Sequence, residues 1–207
     1  MNFHKKSLDQ TTEMHSIEPT KPSIDEARQA VKTLIRWAGD NPNREGLLET
    51  PDRVLKAYGE WFRGYEDDPS EILKKTFGEI EEYSQPVTLN DITFESYCEH
   101  HMAPIIGLVS ISYIPNGRVV GISKLARLVD TFSKRLQVQE KMTAQIAKSI
   151  QHYLKPKGVA VCVRGDHHCM CTRGVNKKGI SMVTHSFLGD FLTDPNLRKE
   201  FHANLEK

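Results

Sequence analysis

The sequence PVTLNDITFESYCEHHMAPIIGLVSISYI spans residues 86–114. It holds two runs rich in β-branched and aromatic residues, 87–96 and 104–114, and each run predicts a β-strand. Pro115-Asn116-Gly117 follows the second run and predicts a turn. Between the runs lies Cys98-Glu99-His100-His101, so a cysteine and two histidines stand at the end of the first predicted strand.

The residues after this stretch show first helical and then strand patterns. Apolar residues recur at helical spacing in 125–132 and again in 142–154, which predicts two helices. Residues 158–164 and 180–188 have the composition of strands. The predicted order is therefore ββααββ, followed by a last helix that opens at Asp194-Pro195. This order indicates an α+β fold.

The part of the chain before residue 86 is expected to be mostly helical. Ser23 and Glu26 have the spacing of a capping box at the start of one helix. Thr50-Pro51 opens a second helix, and Asp68-Pro69 opens a third that we expect to reach Phe77. The sequence is thus divided into a flexible tail (1–22), a helical region (23–85) and a ββααββ domain with its C-terminal helix (86–207).

The composition argues against several classes of protein. The 207 residues include 28 Lys and Arg against 27 Asp and Glu, a formal net charge of +1. This balance creates no global field that attracts nucleic acid or an anionic membrane. The longest uncharged run, 102–117, is shorter than the ~20 apolar residues of a spanning helix. We therefore expect a cytoplasmic protein with no nucleic-acid partner and no membrane partner.

Metal-ligating residues gather in two segments that follow predicted strands, Cys98–His101 and His167–Cys171. Zinc binds thiolate and imidazole ligands, and catalytic zinc sites use three protein ligands with water in the fourth position. Cys98 and His101 are three residues apart, so one turn of chain can direct both at a single ion. Cys169 can join them from the second segment. The alternative is coincidence, because surface histidine pairs are common.

A second group of residues suits a phosphate. Ser123 is expected to cap the N-terminus of a helix, with Lys124 and Arg127 on the face opposite its apolar side, and Arg173 adds a cation near the second metal segment. A helix N-terminus with a hydroxyl and cations binds phosphate well, although such a face is more often only solvated. Glu140 begins the next helix, where a carboxylate also serves as an ordinary cap.

Together these residues resemble the GTP cyclohydrolase I family, in five ordered motifs between about residue 24 and the C-terminus. The motifs are Glu45-Gly46-Leu47-Leu48-Glu49-Thr50-Pro51-Asp52-Arg53-Val54, Cys98-Glu99-His100-His101, Gly121-Ile122-Ser123-Lys124-Leu125-Ala126-Arg127, Gln137-Val138-Gln139-Glu140, and His167-His168-Cys169-Met170 followed by Arg173-Gly174. The resemblance implies a tunnelling fold, a four-stranded antiparallel sheet with two helices on one face, preceded by an N-terminal helical layer. It also implies a ring-shaped homodecamer with active sites shared across subunit borders.

The resemblance implies an activity as well. The family hydrolyses GTP at C8 of the guanine ring with zinc, releases formate, and after rearrangement of the ribose closes the ring of 7,8-dihydroneopterin triphosphate. This reaction is the first step of folate and pterin biosynthesis.

Each family role falls on a residue of this chain. The zinc ligands fall on Cys98, His101 and Cys169, and the catalytic histidines on His100 and His167. The guanine-recognising glutamate falls on Glu140, with Gln139 beside it. The triphosphate contacts fall on Ser123, which also stands with the catalytic residues, and on Lys124, Arg127, Arg173, Arg53 and Lys56.

Other interpretations remain open at the level of sequence. Cys171 and His168 lie beside the proposed ligands and offer alternative metal donors, whereas Cys162 is expected to be an ordinary core residue. An interaction module in which a metal only holds the two loops together is a second interpretation, but it leaves the nearby cations unexplained. A related enzyme of the same fold acting on a different pterin or purine is a third interpretation. The pyruvoyl-pterin synthases of this fold use three histidines, which disfavours it.

Overall fold

A computed structural model describes residues 21–78 and 80–205. The chain divides into two compact units, with the boundary between Leu55 and Lys56, and each is described by itself. The predicted flexible tail, 1–22, lies outside the described residues except for its last two positions.

In the first unit, helix α1 (Ile24–Trp37) begins where the capping box predicts. The hydroxyl of Ser23 accepts a hydrogen bond from the backbone N–H of Glu26 at 3.2 Å, which satisfies one of the unpaired donors of the first turn. A 3-10 turn at Glu45–Leu47 leads to helix α2 (Thr50–Trp61), which crosses the unit boundary. Nη2 of Arg28 on α1 lies 2.7 Å from Oδ1 of Asp52 on α2.

The second unit contains the ββααββ arrangement. Its elements, in chain order after α2, are α3 (Pro69–Leu73), β1 (Thr76–Phe77), β2 (Val87–Cys98), β3 (Pro104–Ile114), β4 (Val119–Val120), α4 (Ile122–Ser133), β5 (Leu136–Gln137), α5 (Gln139–Leu154), β6 (Gly158–His167), α6 (His168–Cys171), β7 (Ser181–Gly189), α7 (Asp190–Thr193) and α8 (Pro195–Leu205). The prediction that the third helix reaches Phe77 is wrong. Residues Thr76–Phe77 instead form β1, which pairs with β4.

The main sheet has the strand order β5-β2-β3-β6-β7. The four long strands are antiparallel to their neighbours, as expected, and the short β5 adds a fifth strand parallel to β2. In this register Tyr97 is paired with Pro104, and Ile105 with His167. The end of β2, the start of β3 and the end of β6 therefore lie together at one end of the sheet.

The two faces of the sheet carry separate cores. Inward residues of β3 and β6, such as Val109 and Val161, pack with α4 and α5 residues, such as Leu128 and Ile146, and all four are fully buried. This packing places both helices on one face, in agreement with the predicted fold class. Cys162, 4% exposed, belongs to the cluster on the opposite face and is the core residue that the sequence predicts.

Helices long and apolar enough to cross a membrane are not found among residues 21–78 and 80–205.

Candidate active site

A tight turn presents the first metal segment at the end of the sheet. The backbone N–H of Cys98 donates to the carbonyl of Ala103 at 2.8 Å, and the N–H of Met102 donates to the carbonyl of Cys98 at 2.8 Å. Met102 has a positive φ of 51°, which closes the turn between β2 and β3. The turn thus places Cys98 and His101 near the end of β6.

Three metal-ligating side chains converge at this place. One ligand atom from each of Cys98, His101 and Cys169 lies within 4.8 Å of the other two. Cys98 is buried and Cys169 is half-buried. Burial, followed by the neighbouring Cys98 thiol, raises the pKa of the Cys169 thiol. Two thiols and an imidazole at this separation fit zinc, because a cation offsets the burial and mutual repulsion of two thiolates.

Cys171 and His168, the alternative metal ligands, make contacts outside the group of three. Sγ of Cys171 donates to the backbone carbonyl of His167 at 3.0 Å. His168 is half-buried, and its carbonyl accepts from the backbone N–H and the hydroxyl of Thr172. Neither joins the ligand group, which within the described part of the chain consists of the three residues above.

The two predicted catalytic histidines lie at the same end of the sheet as the ligand group. Nδ1 of His100 lies 3.6 Å from Sγ of Cys98, and the imidazole is exposed. His167 is half-buried at the end of β6, and its Nε2 lies 2.9 Å from Oε1 of Gln139. Burial lowers the pKa of His167, while the carboxylates of Glu140 and Asp166 act in the opposite direction.

Residues Gln139 and Glu140 begin α5 but have opposite surroundings. Gln139 is 1% exposed, and its amide is bonded to protein groups on β6 and β7. Glu140 is exposed in the first turn of the helix. Because Gln139 contacts His167, the carboxylate of Glu140 stands at the same end of the sheet as the metal ligands.

The predicted phosphate-binding residues fall into two places. Nη1 of Arg173 lies 3.1 Å from Nε2 of His101, so this cation is at the metal end. Ser123, Lys124 and Arg127 lie in the first two turns of α4. The prediction that Ser123 caps this helix is wrong: Gly121 is the N-cap, and no side chain caps it. The extended backbone of Gly121 starts the helix two residues earlier than expected.

The first turn of α4 lies toward the far end of the sheet. The N–H of Val120, just before α4, donates to the hydroxyl of Tyr113 at 3.2 Å, and Tyr113 is paired with Val87 at the start of β2. The other end of α4 leads to Gln137, which is paired with Cys98. The helix has 12 residues and is therefore ~18 Å long. Within one chain, α4 thus separates Ser123 from the metal end.

The last two predicted phosphate contacts are on α2. Arg53 belongs to the first unit, is exposed, and forms an ion pair with Glu49 one turn earlier. Lys56 is exposed on the part of α2 that belongs to the second unit.

Gly165 is a further residue of the site that the sequence motifs did not indicate. A Cβ at this position would lie 2.7 Å from Oε1 of Gln139, so only glycine leaves room for that amide. The available signal was an isolated glycine inside a strand-like run, which often marks a close approach of another group.

Comparison with known proteins agrees with this geometry. Residues 27–206 match the family described as GTP cyclohydrolase I. The GTP cyclohydrolase 1 of Maricaulis maris is 53% identical over 188 residues, which cover 91% of this chain and 92% of that protein. The GTP cyclohydrolase 1 of Brucella suis is 56% identical over 171 residues, 83% of this chain and 80% of that protein.

The similarity to solved structures is weaker than the sequence similarity to these relatives. The crystal structure of the archaeosine synthase QueF-Like in its apo form has a TM-score of 0.43 and 22% identity, and the match covers 50% of this chain and 93% of that chain. The family assignment therefore depends on the sequence matches, which extend over both units and include the metal segments. On these matches, the chain belongs to the GTP cyclohydrolase I family.

Proposed function

We propose that this chain carries out the reaction of its family, the conversion of GTP to 7,8-dihydroneopterin triphosphate, at the end of the sheet where Cys98, His101 and Cys169 meet. The observation that carries this assignment is the convergence of two thiols and an imidazole, at the end of the sheet that also holds two further histidines and a carboxylate. Such a group of perturbed and metal-ligating residues is typical of a hydrolytic site.

Zinc is the metal that this ligand set fits, held by Sγ of Cys98, Sγ of Cys169 and the imidazole of His101. Three protein ligands leave a fourth position open, as in catalytic zinc sites. When bound, zinc would supply hydroxide for hydrolysis at C8 of guanine near neutral pH, because coordination lowers the pKa of water to about 7.

The two histidines beside the ligands move protons. C8 of guanine is a poor electrophile and becomes open to attack once N7 is protonated, so the site needs an acid near the purine. His100, which contacts Cys98, and His167, at the end of β6, are assigned this proton transfer. Addition of one water opens the imidazole ring to a formamide, and a second water cleaves the formamide to release formate. The ribose then rearranges and the ring recloses as the pterin with loss of water.

Glu140 recognises the base. Its carboxylate is exposed at the metal end of the sheet and can accept two hydrogen bonds from the N1–H and 2-amino groups of guanine. Adenine lacks this pair of donors, so the carboxylate would be left unpaired with it.

The triphosphate is bound by residues from more than one copy of the chain. Arg173 is at the metal end, but Ser123 and Lys124 lie in the first turn of α4, with most of that helix between them and the metal end, and Arg127 lies one turn further along. A second copy of the chain that brings the start of its α4 to this pocket would add these residues to Arg173. The family resemblance adds Arg53 and Lys56 as proposed triphosphate contacts.

This sharing supports a homo-oligomer, for which we propose the ring-shaped decamer of the family. We also place the protein in the cytoplasm, where reducing conditions keep the thiol ligands available for metal.

The decisive experiment compares the purified protein before and after removal of metal by a chelator. Incubation with GTP is followed by assays of formate and of the fluorescent pterin formed after oxidation. The metal-free protein is expected to lose both products, and added zinc to restore them. Full activity without metal would contradict the zinc assignment, and no formate from the zinc-loaded protein would contradict the reaction itself.

A further inference from the structure

We infer that Gln139 is a positioning residue for His167: its side-chain amide fixes the hydrogen of the imidazole on Nε2 and thereby makes Nδ1 the nitrogen that exchanges a proton with the substrate. This inference rests on the proposed role of His167 and assigns an atom to that role. The family resemblance instead places Gln139 beside the base as a substrate contact.

The orientation of the Gln139 amide is determined by acceptors. Its Nε2 lies 3.1 Å from the carbonyl oxygen of Val163 and 3.0 Å from that of Met182. A backbone carbonyl can only accept a hydrogen bond. The reversed amide would place Oε1 against two carbonyl oxygens in a fully buried position, which is strongly unfavourable. The NH2 group therefore faces β6 and β7.

The third neighbour of Nε2 is also an acceptor. The hydroxyl of Thr143 donates to the backbone carbonyl of Gln139 at 2.7 Å, so its single hydrogen is engaged. The hydroxyl of Thr184, 2.7 Å from that of Thr143, must then donate to it. Thr184 has no second hydrogen, so its oxygen, 3.2 Å from Nε2 of Gln139, acts as an acceptor, and the two hydrogens of the amide are shared among three acceptors.

The other end of the amide then determines the tautomer of His167. With the NH2 group facing the strands, the atom that meets the imidazole is Oε1, 2.9 Å from Nε2 of His167. A carbonyl oxygen only accepts, so Nε2 of His167 carries a hydrogen and donates it. In a neutral imidazole the hydrogen is on one nitrogen only, which leaves the lone pair on Nδ1.

Gly165 leaves the space that the amide of Gln139 needs to contact His167. Its missing side chain leaves room for Oε1 of Gln139, and a Cβ there would approach that oxygen to 2.7 Å and Ile105 Cγ2 to 3.1 Å. The Ile105 contact leaves little freedom for the backbone to move away. Any side chain at position 165 therefore displaces the amide, although it removes no hydrogen-bonding group from the site.

The test reads the tautomer directly. Zinc-loaded protein labelled with 15N-histidine is studied by magic-angle-spinning NMR at about pH 8.5, where an ordinary histidine is neutral. The His167 signals are identified by their loss in His167→Asn. We expect a protonated Nε2 and a bare Nδ1. A hydrogen on Nδ1, in all or a comparable share of the molecules, would overturn the inference.

Two variants test the positioning role. Gln139→Met removes the amide at similar volume, and Gly165→Ala displaces it. Each is expected to mix the two tautomers of His167 and to lower kcat by about tenfold or more, with zinc content kept and KM for GTP within about twofold. Gln151→Met is the matched control: it removes a half-buried amide of the same helix, which donates to Pro156, and should leave kcat and the His167 spectrum unchanged.

The outcomes separate this inference from the proposed function. An unchanged His167 spectrum and an unchanged kcat in both Gln139→Met and Gly165→Ala would refute the role of Gln139 alone. An unchanged kcat in His167→Asn would refute the proton-transfer role assigned to His167 in the proposed function, whichever tautomer the ring adopts.

Discussion

Arg173 contacts the imidazole of His101, with 3.1 Å between Nη1 and Nε2, although the two residues are 72 positions apart in the sequence. Both side chains are exposed. This contact brings a permanent cation to the ligand group from the segment that follows α6. The same guanidinium is thus available to a phosphate beside the metal end of the sheet.

Replacement of Arg173 by alanine should weaken GTP binding more than it affects the metal. A charge-assisted hydrogen bond contributes ~1.5–3 kcal/mol, so KM for GTP is expected to rise about tenfold or more in Arg173→Ala. Arg173→Lys keeps the charge but not the planar fork and should give an intermediate KM. Steady-state kinetics and metal analysis check both, and loss of zinc in Arg173→Ala would show a structural role instead.

The three proposed ligands should behave alike. Cys98→Ser, His101→Ala and Cys169→Ser are each expected to lose bound zinc and activity together, because the remaining two ligands hold the ion too weakly. Metal content by mass spectrometry and formate release are the measurements. Cys171→Ser is the matched control, since its thiol bonds to the His167 carbonyl and not to the ligand group. Normal zinc in Cys169→Ser with loss in Cys171→Ser would reverse this assignment.

His100 and His167 should be separable from the ligands. Their alanine variants are expected to retain zinc while kcat falls by about 100-fold or more, the usual contribution of a general acid or base. The affinity for GTP should change much less. Metal analysis beside kcat and KM makes the distinction, and stoichiometric loss of zinc in either variant would identify that histidine as a ligand.

Glu140→Gln distinguishes base recognition from helix capping. A cap contributes at most ~1 kcal/mol to stability and nothing to binding. If the carboxylate pairs with the guanine edge, the new amide places a donor against a donor, and GTP affinity should fall at least about tenfold.

Binding of GTP to Glu140→Gln is best measured in a His100→Ala background, where turnover is suppressed. Glu26→Gln, in the first turn of α1, controls for loss of an acidic residue at a helix start. Unchanged GTP affinity in the Glu140 variant would leave this residue as a cap.

The sequence predicts the order of elements well, because local patterns determine it. Hydrophobic period, Ser23 as a cap and Pro51 at a helix start act within a few residues. The strand Thr76–Phe77 could not be predicted in this way, since it depends on pairing with Val119–Val120, more than 40 residues later. Local helical preference there yields to a long-range contact.

In the candidate site, too, local sequence predicts some features and long-range contacts determine the others. The spacing of Cys98 and His101 predicts that they share an ion, and the structure brings Cys169 to them. Burial of the Gln139 side chain was not predictable from the motif, because it depends on the carbonyls of β6 and β7.

The separation of Ser123 from Cys98 by the length of α4 has a genetic consequence. Where sites are shared between copies as proposed, each chain gives its metal half to one pocket and its phosphate half to another. A substitution in one half of a chain then inactivates only the pocket that contains that half. The unaltered half of the same chain still contributes to the pocket that it shares with another copy. Two alleles that are inactive alone, one at Cys169 and one at Lys124, would therefore complement each other in mixed rings.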